Sequence, residues 1–199
     1  MKLCKAIHKA VRIDMDILLG KHPVESASVA KRMSWAAERK TTREEDRAYC
    51  LMGLFSVNMP MLYGEGGAKA FLKLQEEIMR NSDDHSLSAW IDPKLSDISP
   101  HGLLADSPDA FAYREAESII AYSPWGEQSP YALTNRGLDI QLYLTPFTSE
   151  HGEEAGYAAA LDCPHPKFSE RVFGDPSEEA GPGTESVCPR GLRPVLRST

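Results

Sequence analysis

Residues Lys31 to Trp90 read KRMSWAAERKTTREEDRAYCLMGLFSVNMPMLYGEGGAKAFLKLQEEIMRNSDDHSLSAW. Both Thr41…Glu44 and Thr42…Glu45 fit the S/T-x-x-E capping box. Glu44, Glu45 and Asp46 sit where the positive end of a helix dipole favours acids. Ala48, Leu51, Met52 and Phe55 follow at i, i+3, i+4 and i+7, which predicts one helix over residues 42–56 with a buried face. Asn58 and Pro60 end it, and Met59, Met61 and Leu62 around the proline predict a loop packed down on the core. Tyr63-Gly64-Glu65-Gly66-Gly67 predicts a turn that uses glycine's access to positive φ. A second helix is expected from Ala68 to Met79, with Phe71, Leu74 and Ile78 inward, Lys69, Lys73, Glu76 and Glu77 outward, and Lys73 paired with Glu77.

Upstream, Ile7, Val11, Met15 and Leu18 recur at helical spacing, a stripe too short to hold a lone helix firmly. Ser26 or Ser28 is placed to cap a helix running to Glu38 and burying Val29, Met33, Trp35 and Ala36. Downstream, strands are expected at Leu87–Ile91, Ile119–Tyr122, Tyr131–Thr134, Leu138–Leu144 and Tyr157–Leu161. Asn135-Arg136-Gly137 suits a hairpin turn, and Ser107-Pro108-Asp109 opens a helical turn through Phe111. From Phe168 the chain is rich in Gly, Pro, Ser and Glu, a composition that buries too little surface to offset ordering. The fold class is therefore α+β: a helical portion at 1–84, a small, mostly antiparallel β-rich domain at 85–166, and a disordered tail at 167–199.

Composition bounds the function. With 42% hydrophobic residues in 199, the chain has material for a core, and its net charge of -7 argues against nucleic acid as a partner. No apolar run is long enough for membrane insertion. Cys4, Cys50, Cys163 and Cys188 lie far apart with no C-x-x-C pair, so a reducing, cytoplasmic setting is expected, with Cys50 a small buried hydrophobe.

Little overt chemistry is present. The glycine turn lacks the G-x-x-x-x-G-K-[ST] spacing of a phosphate loop, and Glu65 would repel a phosphate, so it reads as a structural turn. Glu44 and Glu45 are neighbours that address different helix faces and read as caps rather than an acid–base pair. Arg43 and Arg47 lie one turn apart, suited to an acidic partner. Asp83-Asp84-His85 reads as an exposed loop, and no H-x-x-x-H pair occurs, so neither a metal nor a cofactor is expected. Trp35, Trp90 and Trp125 read as core or interface aromatics.

The motifs Arg32-Met33-Ser34-Trp35-Ala36, Thr41-Thr42-Arg43-Glu44-Glu45-Asp46, Ala48-Tyr49-Cys50-Leu51 and Met59-Pro60-Met61-Leu62-Tyr63-Gly64-Glu65-Gly66 resemble the fungal heterokaryon-incompatibility (HET domain) proteins. The resemblance is to the segment that follows the HET core. It continues through Gly102-Leu103-Leu104-Ala105, Ser107-Pro108, Phe111 and Tyr131–Leu138, similar to a domain of unknown function found C-terminal to HET domains. Only about thirty residues precede the matching segment, so the resemblance implies a truncated member whose HET core is missing. It further implies a role in fungal non-self recognition and programmed cell death. Because killing is attributed to the HET core, the expected role is a non-catalytic protein-interaction or regulatory segment. Arg43, Arg47, Tyr63 and Glu65 are its candidate interaction residues, with a protein partner, the missing core or a second copy as ligand. An exposed apolar patch on the helical portion is expected to accompany it. The alternative is a TIR-like NAD glycohydrolase in which Glu65 is the catalytic carboxylate.

Overall fold

Helix α6, Gly67–Asn81, forms where the period of its apolar residues demands. Phe71, Leu74 and Ile78 are buried along one face, as the sequence predicts, and Met79 joins them. The computed structural model describes residues 2–91, 102–113, 116, 119, 132–134, 137–140, 142–148, 154–161 and 163. Ahead of α6 come α1 (Lys2–Val11), α2 (Met15–Leu18), α3 (Val29–Ser34), α4 (Asp46–Tyr49) and α5 (Met52–Phe55). The helical first portion stands as read from the sequence.

Several elements are shorter than expected. Ser28 caps α3, accepting from the Lys31 amide at 3.3 Å, but the helix stops at Ser34 rather than Glu38, whose φ of 63° closes the following turns. The single helix expected at 42–56 is two one-turn helices. At their join the Leu51 and Leu54 amides donate to the third carbonyl back, Ala48 at 3.0 Å and Leu51 at 2.9 Å, tightening the chain. Ser56, in the left-handed region at φ 55°, ends α5. The predicted face survives the break, since Ala48, Leu51 and Phe55 are buried. Cys50 is not part of it; the join turns this thiol outward, and it is exposed.

The capping box does not form. Thr41 Oγ1 donates to the Arg43 carbonyl at 2.5 Å, and Glu45, at the cap position of α4, makes no side-chain cap bond. Its carboxylate is engaged elsewhere, as described below.

Helix α3 has a buried N-terminus, so its free amides need acceptors from outside the helix. Asp84 Oδ2 accepts from Val29 N at 2.6 Å and Ser86 Oγ from Ala30 N at 3.0 Å. Asp84 Oδ1 also accepts from Ser86 N at 2.9 Å, curling His85–Ser88 into a 3-10 turn where a strand was expected. Asp84 and His85 are therefore buried structural residues rather than an exposed loop; Asp83 alone is exposed.

One core unites these pieces. Val29, Met33, Ala48, Phe71 and Leu74 pack with Leu87, Ala105 and Phe111, which lie beyond residue 84. Gln75, fully buried on α6, pairs with the backbone of Ala105 as a strand would: Nε2 donates to its carbonyl at 2.8 Å, and Oε1 accepts from its amide at 3.0 Å. The expected helical turn forms at Pro108–Phe111, capped by Ser107. Trp35 is buried, while Trp90 is half-buried and its indole donates to the Leu103 carbonyl at 2.8 Å.

The described strands form two separate antiparallel pairs. β1 (Ala132–Thr134) pairs with β2 (Gly137–Asp139), and β3 (Tyr143–Thr148) pairs with β4 (Glu154–Ala160). The continuous strand read over Leu138–Leu144 is thus divided between two ladders, with Ile140 in neither. The strand expected at Ile119–Tyr122, Trp125 and the tail at 167–199 lie outside the described residues, save Ile119 itself, which is not in a strand.

Gln75→Leu keeps roughly the volume of the side chain but strands the amide and carbonyl of Ala105 in the core. A loss of about 2–4 kcal/mol of stability is expected in urea unfolding, with faster amide exchange at residues 102–111. Unchanged stability would show that this pairing does not hold the segment.

Candidate functional site

The loop between α5 and α6 is built from residues that cannot hold a shape by themselves. Pro60 supplies no amide, and Gly64 and Gly66 have φ of 93° and 88°, a region side chains avoid. The first turns of α4 and α6 impose the shape. Glu45 Oε1 accepts from the Gly64 amide at 2.7 Å and the Gly66 amide at 3.3 Å. One turn along α4, the Tyr49 hydroxyl accepts from Leu62 N at 2.8 Å and lies within donating distance of Leu62 O (3.0 Å) and Glu65 Oε1 (3.1 Å). Glu65 Oε2 is paired with Lys73 of α6. A Cβ on Gly67 would lie 3.0 Å from Glu44 Cβ and 3.2 Å from its carbonyl oxygen, so α6 starts where only a glycine lets it meet α4.

Tyr63 is fixed from three sides. Its hydroxyl donates to Asp46 Oδ1 at 3.0 Å, the Arg43 guanidinium carbon lies 4.4 Å from its ring centroid, and its ring meets Tyr49 edge-on at 5.5 Å. The loop's backbone and the Tyr63 ring are thereby pinned, while the Met61 and Leu62 side chains stand exposed. Met61, Leu62 and Tyr63 are 57%, 51% and 50% exposed; of Met59, Met61 and Leu62, expected to pack inward, only Met59 does so, half-buried against the core. The reason is geometric: Glu45 and Tyr49 capture the backbone, which leaves the apolar side chains on the outer side.

The electrostatics follow from the same bonds. Glu45 is held below the ordinary glutamate range by its own backbone amide and by those of Gly64 and Gly66. Glu65 is held low by its hydrogen bond with Lys73, helped by Tyr49. The bond to Asp46 raises the Tyr63 hydroxyl, and burial raises that of Tyr49. Both glutamates are therefore ionised and fully engaged. The Gly64 and Gly66 amides are occupied by Glu45 and are not open to an external anion, which fits the structural turn read from the sequence.

Of the residues singled out in the sequence, the structure brings Arg43, Tyr63 and Glu65 together at this loop. Arg47 stands apart, joined through Nη2 to Asp109 Oδ1 at 2.5 Å, which also accepts from the Glu38 amide at 2.7 Å. Lys73 pairs with Glu65 and not Glu77, whose partner is Arg80. Sequence reasoning missed Glu45, Tyr49 and Lys73 as loop-holding residues. The spacing of Glu45 and Tyr49, four apart on one helix face, is the signal that was available. Among the described residues, no group of three or more His, Cys, Asp or Glu side chains is arranged to hold a metal ion.

No family model and no solved structure matches the chain. Among curated proteins, the vegetative incompatibility protein HET-E-1 of Podospora anserina is 39% identical over 107 residues. The match covers 52% of this chain and 8% of that protein's length. The chain is thus related to the fungal heterokaryon-incompatibility proteins.

Because the folded carboxyls of Glu45 and Glu65 are depressed, their contribution to the loop is complete above the ordinary glutamate value of 4.5 and lost as pH falls through the lower folded values. Amide exchange at Gly64 and Gly66, relative to the unstructured rate at each pH, is expected to be slow near neutrality and to accelerate progressively below that value. Glu45→Gln should speed it at neutral pH and flatten the dependence. Protection unchanged down to pH values where both carboxyls are protonated would refute the clasp.

Proposed function

We propose that this chain serves fungal vegetative incompatibility as a non-catalytic protein-interaction segment, with Met61, Leu62 and Tyr63 as its contact surface. One observation carries the reading: three large apolar or aromatic side chains in succession are half exposed on a backbone held by Glu45 and Tyr49. A pre-formed loop loses little freedom on binding, so its exposed side chains are effective anchors. Leu72, 41% exposed on α6, adds to the apolar surface of the helical portion. Arg43, on the face of Tyr63, supplies charge at its edge and suits an acidic residue on the partner. Relationship to an incompatibility protein supports the pathway; the partner's identity is part of the proposal.

The NAD-glycohydrolase alternative asks Glu65 to attack or to take a proton. Both its oxygens are committed, one to Tyr49 and one to Lys73, and its lowered pKa makes it a weak base. That arrangement favours the interaction reading.

Met61→Ser combined with Leu62→Ser leaves every bond of the clasp in place. It is expected to weaken capture of an incompatibility partner by about tenfold or more, and to reduce hydrophobic-dye binding by the purified chain. Equal capture by wild type and variant would dismiss the surface. NAD turnover by the wild type that disappears in Glu65→Gln would replace the reading with the enzymatic one.

A further inference from the structure

Helix α1 stands away from this surface and has no part in the clasp. At about 100° per residue, Leu3, Ile7 and Val11 form one stripe, and Lys5 and Lys9 fall on the opposite side. Leu3 is 72% exposed and Ile7 36%, while Lys5, His8 and Lys9 are exposed. Residues 2–12 carry Lys2, Lys5, Lys9 and Arg12 and no acid; the first is Asp14, in a chain of net charge -7. The helix ends cleanly. Arg12 adopts φ 59°, and His8 Nδ1 lies 2.7 Å from the Ile13 carbonyl. It packs against α2 and makes no contribution to the buried core cluster.

We infer that α1 is an interfacial helix that docks on an anionic lipid surface. Leu3 and Ile7 are exposed on this stripe and Val11 is half-buried, so covering the stripe is favourable, and the charge pattern selects the cover. Lysines confined to the far side keep their ammonium groups at headgroup level while the apolar side chains enter the acyl boundary. Their attraction is to a dense field of negative charge and needs no specific geometry. The stripe is three residues long, so the association is reversible and peripheral. Helix α1 packs on α2, and Arg12 at its end pairs with Glu38 at 3.7 Å; neither contact involves the 61–63 loop, so docking leaves that loop undisturbed. The inference stands independently of the function proposed above.

Cosedimentation of the full chain with phosphatidylcholine–phosphatidylserine vesicles, against pure phosphatidylcholine, tests it. Binding is expected to the anionic vesicles alone and to fall with added salt. Each of Lys5→Gln and Lys9→Gln should lower the partition about fivefold. Leu3→Gln with Ile7→Gln should lower it at least about tenfold. Met61→Ser with Leu62→Ser should leave it unchanged. The inference is overturned by no sedimentation with anionic vesicles, by equal binding to neutral ones, or by α1 variants that bind as wild type does. It is likewise overturned if sedimentation without lipid reveals a dimer that the Leu3 and Ile7 variants dissolve, since the cover would then be a second copy. Circular dichroism of each variant confirms that the fold is retained.

Discussion

The carboxylate of Glu45, buried against the amides of Gly64 and Gly66, is the constraint on which the site depends. A loop with two glycines at positive φ has no conformational preference strong enough to fix it. An ionised acceptor placed where two such amides converge supplies that preference, and its desolvation is offset by charge-assisted bonds. The direction of Glu45 also settles the start of α4. A carboxylate committed to the loop cannot return to cap its own helix, so Thr42 is left without its capping-box partner, while Thr41 is turned to the Arg43 carbonyl. From this one choice follow the contact of Tyr49 with Leu62, the position of Tyr63 beneath Arg43, and the outward turn of Met61 and Leu62.

The same logic recurs through the molecule. Four of its six described helices are no longer than six residues, and helices this short satisfy few of their own backbone groups. Side chains from distant segments do so instead. Asp84 and Ser86 receive the first amides of α3, Gln75 holds both backbone groups of Ala105, and Ser28 Oγ donates to the Ile119 carbonyl at 2.7 Å. Arg32 is one of the exceptions among the described residues, with Trp35, Arg47 and Ser88, and shows the cost. It lies on the face of Phe55 and donates to the Leu54 carbonyl at 3.2 Å, but its Nε is buried without a partner, and burial draws its pKa below the ordinary arginine value. A fold held by side-chain-to-backbone bonds is specific because each bond has one geometry that satisfies both ends.

Similarity to an incompatibility protein extends over 107 residues, and two surfaces of the chain stand outside its core. The 61–63 loop and α1 present different chemistry: an aromatic and apolar tip on a pinned backbone, and a basic helix with an apolar stripe. Neither interferes with the core, so binding at either need not cost folding stability. The ionised, doubly engaged Glu65 belongs to the scaffold of the loop.

Periodicity and local pattern in the sequence determined α6 and its inward face, the core positions Ala48, Leu51 and Phe55, a serine cap at Ser26 or Ser28 that the structure gives to Ser28, and the glycine turn at 64–66. These are local properties, written in the spacing of neighbours and in the conformations that glycine alone tolerates. The antiparallel pairing of residues 132–134 with 137–139 was also legible, from alternation and a turn signal. Tertiary structure decided the rest. It decided that a helix read as one is two, that Glu45 reaches the loop and not its own cap, that Asp84 and His85 are buried, and that Met61 and Leu62 face outward. A carboxylate beside a helix start satisfies the capping pattern whichever amides it meets. Which amides those are depends on a partner nineteen or more residues away, and no local pattern records that distance.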